Sequence, residues 1–409
     1  MSPQGRVEYR CRRHHHVRMI LTDTFNGFVR PDGSVGVRNH LLVMSVTGLT
    51  GPTARRIAAI VADTVVVDYP YGTAAMTPIG GDGDLHDRAL VGFATNPNVG
   101  AVLIIGANPP RTEALAERIA VSGKPVRAIT LDECGHDAIT LTERGLRMAA
   151  ELAKALSRQR REPVPTSALY VALECGRSDP SSGLVTNPLM GLIADAMVDL
   201  GGCAIIGEST EWLGAEHLLA ARAVSDDVRD DIMAAARRRE QLAVDAGIDL
   251  TGNNPDPTNI AGGLSTIEEK SLGNIAKSGS RPIQSVVRWA EPPSGPGMHL
   301  MDAAAYAPES LSGFAASGAQ LMLFSTGVGN SYVNSISPTL KLSANPETCE
   351  RLGQQLDFAC PELFQGGKTL EQAAEQLGAV ILDVASGTRT WGEILGEGGE
   401  AFTRLGESL

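Results

Sequence analysis

Aromatic side chains are scarce: Phe, Trp and Tyr make up only 4% of the 409 residues. A core must therefore be built from Ala, Val, Leu and Ile, which suits parallel sheets covered by helices. Basic residues are not in excess. With 35 Lys and Arg against 47 Asp and Glu, the formal charge is −12. That argues against a nucleic-acid partner, because tracking phosphates needs a basic surface. An acidic small substrate is still admissible, since a few Lys or Arg can dominate one pocket. The 6 cysteines are scattered, with no CxxC pair. A secreted disulfide framework is thereby excluded, and a reducing cytoplasm is expected. No apolar run approaches the ~20 residues of a membrane span. Two catalytic signatures are also missing. No G-x-S-x-G elbow supports a serine nucleophile, and the glycine-rich stretch at residues 80–84 lacks the helix-entry glycines of a dinucleotide site.

What is present is length and alternation. A prior of ~100–200 residues per domain divides the chain into two or three. Residues 1–22, rich in Arg and carrying His14, His15 and His16, are expected to form a disordered extension. Beyond them, short apolar runs give way to helical patterns. Residues 41–46 precede 53–62, residues 99–105 precede 112–121, and residues 126–131 precede 138–156. The charged, proline-bearing stretch 158–165 reads as a linker. The alternation then restarts with strands at 168–173, 203–206, 283–289 and 320–324. Helices are expected at 188–200, 215–223, 227–246 and 370–386. The fold class expected is α/β: two α/β domains with parallel sheets, spanning residues 23–160 and 166–409. Polar clusters follow directly on strands of the second half: Glu174-Cys175-Gly176, Glu208-Ser209-Thr210, Glu291 and Ser325-Thr326-Gly327. In open α/β sheets, ligands bind beyond the carboxyl ends of the strands.

The run from Asn253 to Lys277 is polar, rich in glycine and proline, and too long for a simple turn. Two readings of its second half stand side by side. Glu269 and Lys270 form an acid/base pair tuned by burial, or Ser265-Thr266-Ile267-Glu268 is a capping box that opens an ordinary helix. The group Asp132-Glu133-Cys134-Gly135-His136-Asp137 similarly reads as a ligand cluster or as a polar loop after a strand.

Asn254-Pro255-x-Pro257-x-Asn259-x-Ala261-Gly262-Gly263, continuing through Leu264 to Gly273, resembles the hallmark of the altronate/galactarate dehydratase family, which includes the large subunit of sulfolactate sulfo-lyase. Further matches are ordered along the chain from Phe25 onward. They are Gly27-Phe28-Val29-Arg30-Pro31-Asp32-Gly33 with Arg38-Asn39, Cys175-Gly176-x-Ser178-Asp179, Glu208-x-x-Glu211-x-x-Gly214-Ala215-Glu216-His217, Phe324-Ser325-Thr326-Gly327-x-Gly329, and Pro338-x-x-Lys341-x-x-x-Asn345. The resemblance implies a Rossmann-like C-terminal catalytic domain and a dehydratase. Such an enzyme eliminates water from a sugar acid or related hydroxy carboxylate by α-proton abstraction, giving a 2-keto acid. Glu269, Lys270, Lys277 and Lys341 are then the catalytic candidates, the lysines as base or carboxylate clamp. Substrate binding falls to Arg38, Asn39, Ser182, Asn254, Asn259, Gly263, Thr326 and Gly327. Asp179, Glu208, Glu211, His217 and Cys175 are the candidate ligands of a divalent metal, Fe2+ or Mn2+. The partners implied are a small carboxylate substrate, a second copy of the chain joined through the first domain, and a small β-clip subunit.

The chain also departs from the family's pattern. Where relatives carry a His- and Cys-bearing motif after the second strand, residues 69–76 contain neither, and a GCE element is replaced by Gly106-Ala107-Asn108-Pro109. These departures leave two further readings open: other α-proton chemistry on the same scaffold, such as epimerisation or loss of sulfite, and a non-catalytic binding relative.

Overall fold

The computed structural model describes residues 20–72, 82–250 and 254–404. Most of the expected extension, part of the His- and Cys-free segment and Asn253 lie outside them. The extension ends earlier than expected. Ile20 and Leu21 are buried in the core, and the Thr166 hydroxyl donates to the Thr22 carbonyl at 2.6 Å.

Four parallel strands form the first sheet: β3 (His40–Ser45), β4 (Thr64–Asp68), β5 (Val99–Gly106) and β6 (Val126–Thr130), in the order β4-β3-β5-β6. All eight residues of β5 are buried, as expected of a strand covered on both faces. Helices Gly51–Ile60, Asp82–Thr95, Pro109–Ala120 and Ala138–Leu156 provide the cover. Two of them start on side-chain caps, Asn108 accepting from the Arg111 amide and Asp137 from those of Ile139 and Thr140.

The expected linker is a strand. β7 (Glu162–Pro165) pairs antiparallel with β1 (Thr24–Val29), which also pairs with β2 (Val35–Gly36). Its two prolines are compatible with this because β7 lies at the sheet's edge.

The second parallel sheet has seven strands: β8 (Tyr170–Cys175), β9 (Cys203–Ile206), β10 (Ile283–Arg288), β11 (Gly297–Asp302), β12 (Leu321–Ser325), β14 (Thr339–Ser343) and β15 (Phe358–Ala359). β13 (Val333–Asn334) lies outside it, paired with β16 (Gly398–Gly399). The order is β10-β11-β9-β8-β12-β14-β15. From β8 the chain builds outward to β10, then returns to place β12 on the other side of β8. The order thus reverses between β8 and β12, giving the Rossmann-like switch point where open α/β sheets bind ligands. The carboxyl ends of β8, β9 and β12 carry Cys175, Glu208 and Ser325. The two parallel sheets share a core: Leu42, Met44 and Val102 of the first cluster with Ala172, Met322 and Phe324 of the second.

Candidate active site

Two strand ends and one helix converge beside this switch point. Cys175 closes β8. Glu208 follows β9 in the left-handed region (φ 60°), which is costly for a non-glycine residue and persists only where surroundings over-determine it. Glu211 sits one short turn later, its amide donating to the Glu208 carbonyl at 2.7 Å. Helix Ile267–Ala276 supplies the rest. Thr266 caps it, accepting from the Glu269 amide. Lys270, Asn274 and Lys277, spaced i, i+4 and i+7, then share one face, which meets the Ser209–Trp212 turn.

That face completes a buried polar cluster. The Lys277 ammonium is fully buried and donates to the Glu208 carboxylate, to Cys175 Sγ at 3.3 Å and to Asn274 Oδ1 at 2.7 Å. Asn274 Nδ2 donates to Glu211 Oε2 at 2.8 Å and to Glu208 Oε2 at 3.4 Å. Lys270 Nζ pairs with Glu211 Oε1 at 2.9 Å and donates to Asn254 Oδ1 at 2.5 Å and Asn259 Oδ1 at 3.0 Å. The polar run is thus tied into the site through its two asparagines. Asn259 also forms a reciprocal cap with Asp256 and donates to the Ser178 carbonyl at 2.9 Å.

The electrostatics follow from burial and pairing. Burial pulls the Lys277 ammonium down, but Cys175, Glu208, Glu174 and Glu211 outweigh it and the net shift is upward. Lys270 is likewise pulled down by burial and raised on balance by the charge and hydrogen bond of Glu211. Both lysines are therefore held as cations. Burial raises Glu208 against the opposing pull of Lys277. Burial, with Glu208, pushes the Cys175 thiol up to about 12. Glu174 is raised well above its ordinary value by burial and then by Glu208, which favours its neutral form. Its Oε2 accepts from the Ser310 hydroxyl at 2.9 Å.

The expected site residues divide by place. Cys175, Glu208, Glu211, Lys270, Lys277, Asn254 and Asn259 are brought together. Ser182, Thr326, Gly327 and Gly263 line the adjoining loops. A Cβ on Gly327 would come within 2.3 Å of Asp179 Cγ, so only glycine admits this approach. Gly263 has φ 110°, the left-handed region that glycine occupies freely. Asp179 is spent on the loop, accepting from Ser181 Oγ at 2.6 Å, the Ser182 amide at 3.1 Å and Asn345 Nδ2 at 2.8 Å.

The others lie elsewhere. His217 is exposed on the short helix Glu216–Ala220. Glu269 is exposed, and its carboxylate accepts from the Ser265 amide at 2.8 Å; the helix is capped as the second reading had it, but by Thr266, one residue later than the expected Ser265 box. Lys341 is buried with Glu397 at 2.6 Å. Arg38 is clamped by Glu393 at 2.6 and 2.8 Å and by three backbone carbonyls. Asn39 accepts from Arg30 at 2.7 Å. Both line a separate cleft of about 970 Å3. In the alternative cluster, His136 is exposed near Asp132 at 3.5 Å while Cys134 is buried. Asn274 was not anticipated, although its spacing from Lys270 and Lys277 would have disclosed it.

Among the described residues, one set of three side chains has donor atoms grouped for a metal ion. Cys175, Glu208 and Glu211 offer atoms within 4.8 Å of one another. One sulfur and two carboxylates are donor types that suit a borderline divalent ion such as Fe2+ or Mn2+, but Cys175 and Glu208 are held by the Lys277 ammonium, which an ion would have to displace; Asp179 and His217 are not in the set.

A buried lysine–glutamate cluster at the switch point of a Rossmann-like sheet, fed by an Asn-Pro loop, defines a class that comparison with known proteins identifies. The chain belongs to the D-galactarate/altronate dehydratase family: the family's C-terminal model matches residues 166–408 and its second-domain model residues 27–157. Among individual relatives, (2R)-sulfolactate sulfo-lyase subunit beta of Chromohalobacter salexigens is 38% identical over 389 residues, covering 94% of this chain and 98% of that protein. Altronate dehydratase of Bacillus subtilis is 29% identical over 374 residues, 89% of this chain and 74% of its own. Galactarate dehydratase (L-threo-forming) of Escherichia coli is 29% identical over 396 residues, 90% and 73% respectively.

Proposed function

We propose that this chain is a lyase that removes the α-proton of a small 2-hydroxy carboxylate and expels a substituent from the β-carbon, leaving a 2-keto acid. The observation that carries this is Lys277, fully buried yet held as an ammonium between Glu208 and Cys175. A fixed cation in a water-poor site stabilises the enolate charge that develops as the proton leaves. Glu208, raised by its burial, is the carboxylate that receives the proton. The C–H electron pair becomes the new C=C bond, the β-substituent departs with its own bonding pair, and the enol relaxes to the keto acid.

Sulfite is the leaving group that fits this balance best. It departs as a stable anion and needs no proton, whereas hydroxide does, and both lysines are raised and hence poor acids. The 98% coverage of a sulfo-lyase subunit supports the same reading. Loss of water from a sugar acid is the second reading, favoured by the two dehydratase relatives. A divalent ion at Cys175, Glu208 and Glu211 would take the place of the Lys277 ammonium and of Glu208 as base, and would supply Lewis acidity at a substrate oxygen instead. The name "subunit beta" supports a separate small partner chain. The family resemblance suggests a homodimer, and the unpaired thiols of all five described cysteines suit a cytoplasmic setting. No described helix is long and apolar enough to cross a membrane.

The test is incubation of anaerobically purified protein, with and without added Fe2+ or Mn2+, with sulfolactate, altronate and galactarate. A 2-keto acid with equimolar sulfite supports the first reading, and a 2-keto acid from a sugar acid supports the second. No keto acid from any of them refutes both. α-Deuterium exchange without elimination would instead favour an epimerase.

A further inference from the structure

An ammonium has three N–H bonds to give, and both lysines of the site have given all three. Lys270 is taken by Glu211, Asn254 and Asn259. Lys277 is taken by Glu208, Asn274 and Cys175. Neither has a proton free for a substrate oxygen unless a partner is displaced. The Asn274 amide is spent on Glu211 and Glu208.

Two buried donors near them are unspent among the described residues, the Ser271 hydroxyl and the Asn254 amide, and of the two only Asn254 is bonded to Lys270. Asn254 is only 9% exposed, and among the described residues its Nδ2 has no hydrogen-bond partner. Burying an amide N–H without an acceptor costs ~1–3 kcal/mol, so such a group calls for a reason. The same amide receives the Lys270 proton on Oδ1. That contact draws electron density toward oxygen and makes the opposite N–H bonds stronger donors. The loop around it is fixed, with Asn259 bonded to Asp256, Ser178 and Lys270. The donor is thus polarised, desolvated and held in place.

We propose that Asn254 Nδ2 holds the carboxylate of the substrate, and that Lys270 acts through Asn254 as its positioning residue rather than gripping the carboxylate itself. This rests on the lyase reading and names the group that recognises the acid.

Asn254→Asp isolates the donor. It keeps an oxygen for Lys270 and the size of the side chain, but replaces the NH2 with an acceptor. With the hydroxy acid that the wild type turns over, the variant should raise KM at least ~30-fold while kcat falls less than ~5-fold. With the carboxamide of the same acid, whose NH2 can donate to the new carboxylate, the loss should be at least ~10-fold smaller. A damaged loop would penalise both compounds alike. Asn254→Ala, lacking donor and acceptor, should show the KM rise without the altered preference. Substrate-induced thermal stabilisation should shrink in parallel. A wild type that turns over substrate, with unchanged KM and preference in Asn254→Asp, overturns this inference and leaves the lyase reading intact. A wild type that neither turns over nor is stabilised by any hydroxy acid overturns both.

Discussion

Lys277 and Glu208 form a fully buried ion pair at the carboxyl ends of β8 and β9, and the same ammonium reaches Cys175 Sγ at 3.3 Å. Removing one member of such a pair strands a charge, at a typical cost of ~3–5 kcal/mol, whereas removing both is far milder. Lys277→Met should therefore unfold at lower denaturant and lose at least ~100-fold in kcat. The double variant Lys277→Met/Glu208→Gln should recover most of the stability and none of the activity. Denaturant midpoints and steady-state rates on the three proteins test this. Recovery of activity in the double variant would show that the pair is structural only.

Glu269 and Lys270 are neighbours in sequence and part company in space. The Glu269 carboxylate stays exposed and accepts from the Ser265 hydroxyl and then from the Ser265 amide, which together lower its pKa. A carboxylate so held does not act as a site acid. Glu269→Ala should cost ~0.5–1.5 kcal/mol as a lost helix-start contact and leave kcat/KM within about twofold. A loss of ~100-fold or more would return Glu269 to the chemistry.

These two residues show where reading the sequence ran out. Repeating apolar runs located β3, β5, β6, β8, β9, β10 and β12 because buried parallel strands have few polar breaks. β11 went unread because Gly297, His299 and Asp302 interrupt its apolar character, although His299 is buried with its ring bonded to Ser285 and the Gly295 carbonyl. β7 was taken for a linker because proline is a weak strand former, and nothing local shows that its partner is β1, more than 130 residues earlier. In the site, the family resemblance put Lys270 and Lys277 on the same list of candidates, and their common face on helix Ile267–Ala276 is what brings them together. The resemblance did not reveal that Asp179 and Lys341 find other partners or that His217 stays exposed, since that depends on tertiary packing.

His40 gives the fold a pH dependence on the acid side. Burial, then the nearby Arg38 charge, pulls its imidazole from 6.5 to about 4. The unfolded chain therefore takes up a proton that the folded chain refuses between those values. This contribution is complete above about pH 6.5 and is lost as pH falls toward 4, with a ceiling of about 3 kcal/mol. Urea midpoints at pH 7 and pH 5 should differ, and His40→Gln should flatten part of that difference. An unchanged slope in the variant would assign the acid lability to other groups.

Arg38 tests whether a motif residue serves the substrate or the scaffold. Its guanidinium donates to both Glu393 oxygens at 2.6 and 2.8 Å, and to the carbonyls of Val37, Val384 and Thr388. It thereby joins the start of β3 to the segment after helix Leu370–Ala385. Every N–H direction is committed to protein, so an anionic substrate would have to displace a bidentate carboxylate. Arg38→Met should cost roughly 2–4 kcal/mol, because half-buried Glu393 would lose its bidentate partner and three backbone carbonyls would lose a donor. The KM of whatever folded enzyme remains should stay within about twofold of the wild type. A KM raised tenfold or more with stability intact would instead make Arg38 a substrate contact and move part of the site into the cleft that it lines with Asn39 and Arg161.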